Sequence, residues 1–587
     1  MSVLKQFAQL AKPYWLSRAS VWSWLIFAAT VALSLLLVQV TVTLNLWNKE
    51  FFDALAALDG PLIYDLLVKF IGIVALIVVM KVYAKWLQQW VEIRWRSWLT
   101  ERLVSRWMSQ QNFYHLTLTG EPDNPDQRIA EDIKLLTTDT LELILGLIKS
   151  VATLAAFSVI LWNLSSGFLL PLFDDIKISG YLLWLALIYS VLGAFVTHFF
   201  GRKLHRLFYQ QQKREANFRA KLLRSRDSAE QIALMQGQAR EQAQLNERFD
   251  AITTNWKALM GREKKLGIVV NTYHQIAAMV PYFAAIPALM AKAITVGGLF
   301  QVKMAFMKVY ASLSWFIFRY DDLTRWSATV VRLGQFLQAM EACERQQQAK
   351  QSEPAKQDQK TQSAQPTTAL AWQGLSVQRP NGQPLLHDVH LALAKGEAVM
   401  VRGPSGLGKS TLLRTLAGVW PFYEGDYQQS QPGVLLLPQK PYLPQSSVRE
   451  CLSYPHLAEL DDGVYQRALS LVGLADLADD LSQVREWSLQ LSGGELQKLA
   501  LARALVQQPD TLILDEATSS LDEPTAYKLL AMVREQLPHS QILMVSHQSH
   551  LLSLFDRAVD LTQFAPQNDE QQSEQASTEI PMQPASV

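Results

Sequence analysis

A chain of 587 residues with 49% apolar side chains exceeds one ordinary core, so two or more domains are expected, the first of them rich enough in apolar runs for a membrane. A net charge of only +1 gives no electrostatic case for a nucleic-acid binder, and no nucleic-acid partner is expected. Cys343 and Cys451 stand far apart and read as inert fillers, which excludes a disulfide framework.

The stretch Val21 to Trp47 is almost uninterruptedly apolar, longer than the ~20 residues a helix needs to cross hydrocarbon. It is too long for a signal-peptide core, and no small-residue cleavage site follows it. Further spans are predicted over 62–88, 141–164, 180–200, 267–290 and 299–318, making six. The second carries Lys69 and Lys81, the third Glu142 and Lys149, the sixth Lys303 and Lys308. Such charges either snorkel at span ends or face protein and water. Glu142 and Lys149, a seven-residue step, are expected on one helix face, and Lys303 and Lys308 approximately so.

Basic residues collect in alternate segments: Lys5, Lys12 and Arg18, then Arg94 to Lys134, then Arg202 to Lys265. The intervening loops are acidic, with Glu50, Asp53 and Asp59 in one and Asp174 and Asp175 in another. Positive charge marks the inner side, so both termini are expected in the cytoplasm.

Residues 90–117 and 201–265 keep helical apolar spacing, as at Leu204, Leu207, Phe208, Leu222 and Leu223, and read as membrane helices continuing into the cytoplasm. A single helix over the second stretch would be roughly 100 Å long, so a turn is expected, with Gly237 the best candidate. Asp123–Asp132, broken by Pro125, and the apolar patch Glu230–Met235 are expected to transmit motion to a cytoplasmic domain. The division predicted is a transmembrane domain 1–343, a polar linker 344–368, one α/β domain 369–564 and a disordered tail 565–587.

The α/β domain carries the chemistry. Ala398–Val401 reads as a buried strand and Leu412–Leu416 as the start of a helix. Between them, Gly403, Pro404, Ser405, Gly406, Leu407, Gly408, Lys409, Ser410 and Thr411 form a phosphate-binding pattern. The glycines let successive N–H groups turn toward an anion, Lys409 adds a point charge, and the Ser410 hydroxyl suits Mg²⁺. The strand Leu512–Leu514 delivers Asp515 to the metal side and Glu516 to a water for in-line attack. Ser492, Gly493 and Gly494 open a helix whose N-terminus is anion-seeking. Gln439 lies in a loop after a strand, and His547 ends another strand within reach of a γ-phosphate.

In order, the phosphate loop, the glutamine loop, LSGGELQ, ILDEATSSLD and the VSH histidine resemble an ABC-transporter nucleotide-binding domain. The membrane half, with Trp95, Trp98, the stretch 124–132 and Ser314-Trp-Phe-Ile-Phe318, resembles the SbmA/BacA-like permease family fused to an ATPase, itself similar to peroxisomal fatty-acyl ABC transporters. The resemblance implies an exporter-like, polytopic α-helical membrane domain with six spans and long cytoplasmic extensions, followed by a cytoplasmic α/β P-loop ATPase domain. It implies ATP and Mg²⁺ as cofactors, with Ser410, Gln439 and Asp515 at the metal and Glu516, His547 and Gln439 in catalysis. It further implies that Ser492, Gly493 and Gly494 close on ATP held by another subunit.

One set of motifs makes the chain a half-transporter, so a homodimer in a bacterial inner membrane is expected. The cargo expected is a peptide or a cobalamin-like solute taken up at the cost of ATP. Fatty-acyl or lipid translocation is one alternative, and a membrane-anchored ATPase switch that moves nothing is another. Where many ABC domains stack adenine on an aromatic residue this chain has Arg379, with Trp372 nearby.

Overall fold

The structure, a computed structural model, describes residues 2–119, 124–166, 170–171, 177–315, 319–352, 368–428, 433–456 and 460–566. Asp123, Asp174, Asp175, Phe316, Ile317 and Phe318, most of the predicted linker and the tail from 567 lie outside the described residues. The chain divides into two units, Met1–Arg106 with Pro122–Gln338, and Trp107–Glu121 with Ala339–Val587.

The first unit is helical. Helices α1 (Val3–Trp15), α2 (Val21–Ala57) and α3 (Gly60–Met108) are followed, after the short α4 (Asn112–Thr119) that belongs to the second unit, by α5 (Ile133–Ser166) and α6 (Tyr181–Asp227). Then come α7 (Ala229–Leu234), α8 (Gln238–Met290), α9 (Val296–Leu313) and α10 (Tyr320–Ser352). Among the described residues, three helical stretches are long and apolar enough to cross a membrane: Arg18–Ala57, Gly60–Leu118 and Pro125–Ser166. Their neighbours join the same bundle, because Phe157 and Leu161 of α5 pack with Leu182 and Ala186 of α6, Ala285 of α8 and Phe306 of α9.

The long extensions of α6 and α8 have internal reasons to be straight and paired. Along α6 and α8, Asn255 donates to the Leu207 carbonyl at 3.1 Å and to Gln211 Oε1 at 2.8 Å, and Lys221 pairs with Glu241 at 2.5 Å. Higher up, Tyr189 and Tyr273 stack 4.3 Å apart and each hydroxyl donates to the other's backbone carbonyl. The turn expected between these helices includes Gly237 but is wider: it spans Ser228 to Gly237 and contains α7. Gln236, not Gly237, takes the left-handed conformation (φ 51°), because the Gly237 and Gln236 amides close the end of α7 on the Ile232 and Ala233 carbonyls. The α7 tip leaves Leu234 and Met235 77% and 81% exposed.

The first extension also breaks earlier than predicted: Gln110 and Gln111 are left-handed (φ 49° and 57°), so α3 ends and α4 starts separately within 90–117. In the 124–132 stretch, Asp132 is buried and held by three guanidinium contacts, from Arg128 at 2.9 Å and from Arg332 of α10 at 2.9 and 2.6 Å. The Asp132 carboxylate holds Arg332 above its usual range. A strut inside this unit is therefore what the cluster builds.

The second unit is α/β. Strands β1 (Thr368–Gln378), β2 (Pro384–Ala394) and β4 (Tyr423–Gln428) form an antiparallel sheet in the order β2-β1-β4. Strands β3 (Ala398–Arg402), β5 (Val434–Leu437), β6 (Thr511–Asp515), β7 (Gln541–Val545) and β8 (Arg557–Asp560) form a parallel sheet ordered β8-β3-β7-β6-β5. The central strands are buried on both faces, as parallel strands require. Val399, Val401, Ile513, Leu543 and Val545 face a core shared with Trp372 and Leu375. Met400, Leu512, Leu514 and Met544 face the opposite core, with α14 (Gly493–Gln507) and α15 (Glu523–Gln536).

This unit also contains α4 and the last part of α10, which runs through residues 344–352 of the predicted linker. Buried His115 of α4 donates from Nε2 to the Val419 carbonyl at 3.2 Å and accepts at Nδ1 from Gln347 at 2.5 Å. Because the Gln347 amide also donates to the Gln110 carbonyl, its nitrogen faces the imidazole and the neutral Nε2–H form fits. Burial holds His115 below its usual range, against the opposing pull of the Val419 carbonyl.

Candidate active site

Strand β3 ends at Arg402 and α11 (Lys409–Leu416) begins seven residues later, with Gly403, Gly406 and Gly408 at φ of 149°, 85° and 101° between them. Those values are what glycine permits and other residues resist, so the loop can turn its amides inward. The Lys409 ammonium folds under the loop, donating to the Gly403 and Pro404 carbonyls at 2.7 and 2.9 Å and reaching His547 Nε2 at 3.1 Å.

At the second residue of α11, Ser410 Oγ donates to Asp515 Oδ1 at 2.9 Å. Two hard oxygens at this separation suit Mg²⁺. One residue on, Glu516 is left-handed (φ 50°), a conformation that costs a non-glycine residue energy. Its amide still donates to the Val545 carbonyl at 3.0 Å, so the parallel sheet holds it there. Gln439 Nε2 donates to Glu516 Oε2 at 2.9 Å, and His547 Nε2 stands 3.5 Å from Oε1. A neutral imidazole cannot accept from Lys409 and donate to Glu516 through the same nitrogen, so the two contacts compete.

The structure thus brings together Lys409, Ser410, Gln439, Asp515, Glu516 and His547. A cavity of about 330 Å³ opens over Lys409, Ser410 and Glu516, lined also by Arg379, Ser405, Gly406, Gly408, Thr411 and Trp420; Gln439, Asp515 and His547 are not among its lining residues. Arg379 lies at its edge on a hairpin turn. Trp372 does not: it is 2% exposed in the core, where the alternation of β1 sends it inward. Trp420, which sequence reasoning missed, is the tryptophan at the cavity, fixed by its Nε1–H on the Gln378 carbonyl at 2.9 Å. It lies outside the short phosphate-loop pattern, so no spacing flagged it.

Ser492, Gly493 and Gly494 are not among the lining residues. Ser492 caps α14 reciprocally with Glu495, whose carboxylate the Ser492 amide and hydroxyl hold below the usual range. A side chain at Gly494 would stand 3.2 Å from the Ser520 carbonyl, so the small residues let this helix end sit against the Ser520 backbone. Buried Gln497 completes the link: it donates to the Gln439 carbonyl and Ser519 Oγ and accepts from the Ser520 amide. It closes the LSGGELQ string, yet its role there is structural rather than chemical.

A second cavity, of about 260 Å³, lies wholly within the first unit. Thr30 and Ser34 of α2, Lys81, Lys85 and Gln88 of α3, and Glu142 and Lys149 of α5 line it, with Arg319. Glu142 and Lys149 share a face as their seven-residue step requires. Lys303 and Lys308 do not: five residues turn a helix by about 500°, so Lys303 lies over the Tyr282 ring while Lys308 approaches Lys81 and Lys149.

Residues 10–290 match the family model described as ABC transporter transmembrane region 2, and residues 386–519 match the model described as ABC transporter. Inner membrane ABC transporter ATP-binding protein YddA of Escherichia coli K12 is 34% identical over 565 residues, which cover 95% of this chain and 98% of YddA. ABC transporter D family member 2, chloroplastic, of Arabidopsis thaliana is 28% identical, with 96% and 87% covered. Lysosomal cobalamin transporter ABCD4 of Homo sapiens is 27% identical, with 93% and 94% covered. The fold is similar to the structure of a bacterial Atm1-family ABC exporter with ATP bound, at a TM-score of 0.69 and 19% identity over 95% of this chain and 99% of that one. For the permease half these matches give a broader family than the SbmA/BacA-like one.

Proposed function

We propose, from the premise that this chain belongs to the ABC transporter family, that two copies use ATP to carry a hydrophilic solute across a bacterial inner membrane. ATP hydrolysis coupled to transport is the family's activity, and the chain has both the membrane region and the ATPase domain for it. The observation that carries the hydrophilic reading is the polar, charged cavity walled by α2, α3 and α5. A lipid path would leave these lysines facing hydrocarbon, on the order of 3 kcal/mol each on insertion scales. The cobalamin named for the ABCD4 relative is a solute of this kind.

At the nucleotide site, Lys409 would exchange its loop carbonyls for phosphate oxygens, and Ser410 with Asp515 would hold Mg²⁺, Gln439 offering its free Oε1. The ion supplies charge neutralisation between the phosphates. Glu516, held between Gln439 and His547, orients the attacking water. Ser492, Gly493 and Gly494 would complete the site of the other copy, which agrees with one set of motifs per chain. The Arg379 guanidinium would offer its face to adenine.

Six spans with both termini cytoplasmic fit the packing of α2, α5, α6, α8 and α9, with α3 beside α2 and α5 at the cavity, and the alternation of basic segments. The test is ATP-dependent accumulation of labelled cobalamin or a Pro-rich peptide in inside-out and right-side-out vesicles. Accumulation in one orientation gives the direction. Movement of a fatty-acyl substrate with neither solute accumulating would overturn the hydrophilic reading.

A further inference from the structure

We infer that the cavity in the membrane unit is an anion site, which selects a soluble cargo by carboxylate or phosphate groups; this rests on that cavity being a watered path. Its lining holds four cations, Lys81, Lys85, Lys149 and Arg319, and a single carboxylate, Glu142. The pairing is uneven. Lys85 meets Glu142 at 3.0 Å, and Arg319 meets Asp322 at 2.8 Å. Lys81 and Lys149 have no ion-pair partner among the described residues, and Lys308 stands near enough to repel both.

Lys81 and Lys149 face one cavity whose single carboxylate, Glu142, is already paired with Lys85, so the two ammonium groups oppose one another there. An intramembrane ionisable group normally pairs with another or faces water. Here the missing partner is an anion, and the space beside Lys81 and Lys149 is where it fits. Thr30, Ser34 and Gln88 add neutral hydrogen-bonding groups on the same lining, suited to the rest of a polar cargo. A cationic solute would add to the repulsion, so the cavity discriminates by sign.

The test uses the full-length protein in phosphatidylcholine vesicles with Ser34→Cys or, separately, Ala84→Cys as reporter, both native cysteines being buried. Each is labelled with an anionic sulfonate-bearing and a cationic trimethylammonium-bearing methanethiosulfonate of similar size. The expected result is that the anionic reagent reacts about 10-fold faster, relative to a free thiol, and that Lys81→Gln with Lys149→Gln brings this preference close to one. Lys303→Gln, on the lysine stacked over Tyr282, leaves it unchanged. Millimolar tripolyphosphate or citrate slows anionic labelling, while spermine does not.

No preference, a cationic preference or no labelling at either reporter overturns the site. So does a preference that no soluble anion competes away; if phosphatidylglycerol in the vesicle competes instead, the occupant is a lipid headgroup. An anionic preference without flux of any hydrophilic solute would defeat the transport reading and leave the anion site standing. Flux of neutral or cationic solutes without the preference would do the reverse.

Discussion

At the nucleotide site Lys409 rests on two carbonyls, Ser410 on Asp515 and Gln439 on Glu516, whereas in the membrane cavity Lys81 and Lys149 have no ion-pair partner among the described residues. The first set is fixed by loops at the ends of parallel strands, where backbone hydrogen bonds determine position to a fraction of an ångström. The second projects from the faces of long helices and is held by little besides helix packing. A site that must cleave one bond in one geometry profits from the first arrangement. A site that must bind and then release a cargo profits from the second, because an unpaired charge attracts without locking. On the proposed function, chemistry and selection belong to different units of the chain.

The sharpest way to break that contrast is at Glu516, the carboxylate proposed to orient the attacking water. Glu516→Gln should keep ATP binding and lower turnover by roughly 10²–10⁴-fold, the size of a general-base or water-orienting effect. Near-normal hydrolysis by the purified variant would remove Glu516 from that role. A membrane-unit counterpart tests whether charges there are ever structural. Arg332→Ala leaves Asp132 buried with only Arg128 beside it, and should destabilise by about 3–5 kcal/mol in thermal unfolding. Lys85→Gln, which breaks a half-exposed pair, should cost about 0–1 kcal/mol in the same experiment. Equal losses would erase the distinction between strut and lining.

Smaller effects sharpen the nucleotide side. Arg379→Ala should weaken ATP binding about 2–5-fold, read from titration of a fluorescent nucleotide, as fits an exposed cation stacked on a base. Loss of all binding would make Arg379 a phosphate ligand instead. The smallest effect concerns the α4 contact. Since burial lowers the His115 value, the neutral contact is fully present above the usual histidine range near pH 6.5 and is lost as pH falls through the lower folded value. Hydrogen-exchange protection of residues 112–119 should therefore decline below about pH 6.5 in the native protein and much less in His115→Gln. A pH-independent protection would show that the imidazole is not the anchor.

Legibility in the sequence follows the same contrast. A phosphate loop compresses its requirements into nine consecutive residues, because strand, glycines, lysine and helix must be adjacent to cradle an anion. Gln439, Asp515, Glu516 and His547 were legible for a related reason, each sitting at the end of an apolar strand. Trp372 misled because a tryptophan near a motif says nothing about which face of its strand it takes, and here the alternation of β1 sends it into the core. Gly237 marked the turn, standing just before Gln238–Met290, although Gln236 takes the left-handed conformation beside it. In the membrane unit, Glu142 and Lys149 were legible as a pair by helical step, whereas the gathering of Lys81, Lys149 and Lys308 depends on how three helices pack. No spacing within one segment encodes that.

The claim that ATP turnover drives a solute through the membrane unit is tested most directly by measuring hydrolysis and flux in the same sealed vesicles. Purified protein in both orientations, supplied with ATP and labelled cobalamin, should accumulate the solute in one orientation only. Glu516→Gln should abolish accumulation in proportion to its lost hydrolysis. Full ATP turnover with neither cobalamin, nor a Pro-rich peptide, nor a fatty-acyl substrate crossing the membrane would contradict the account and leave an ATPase switch in its place.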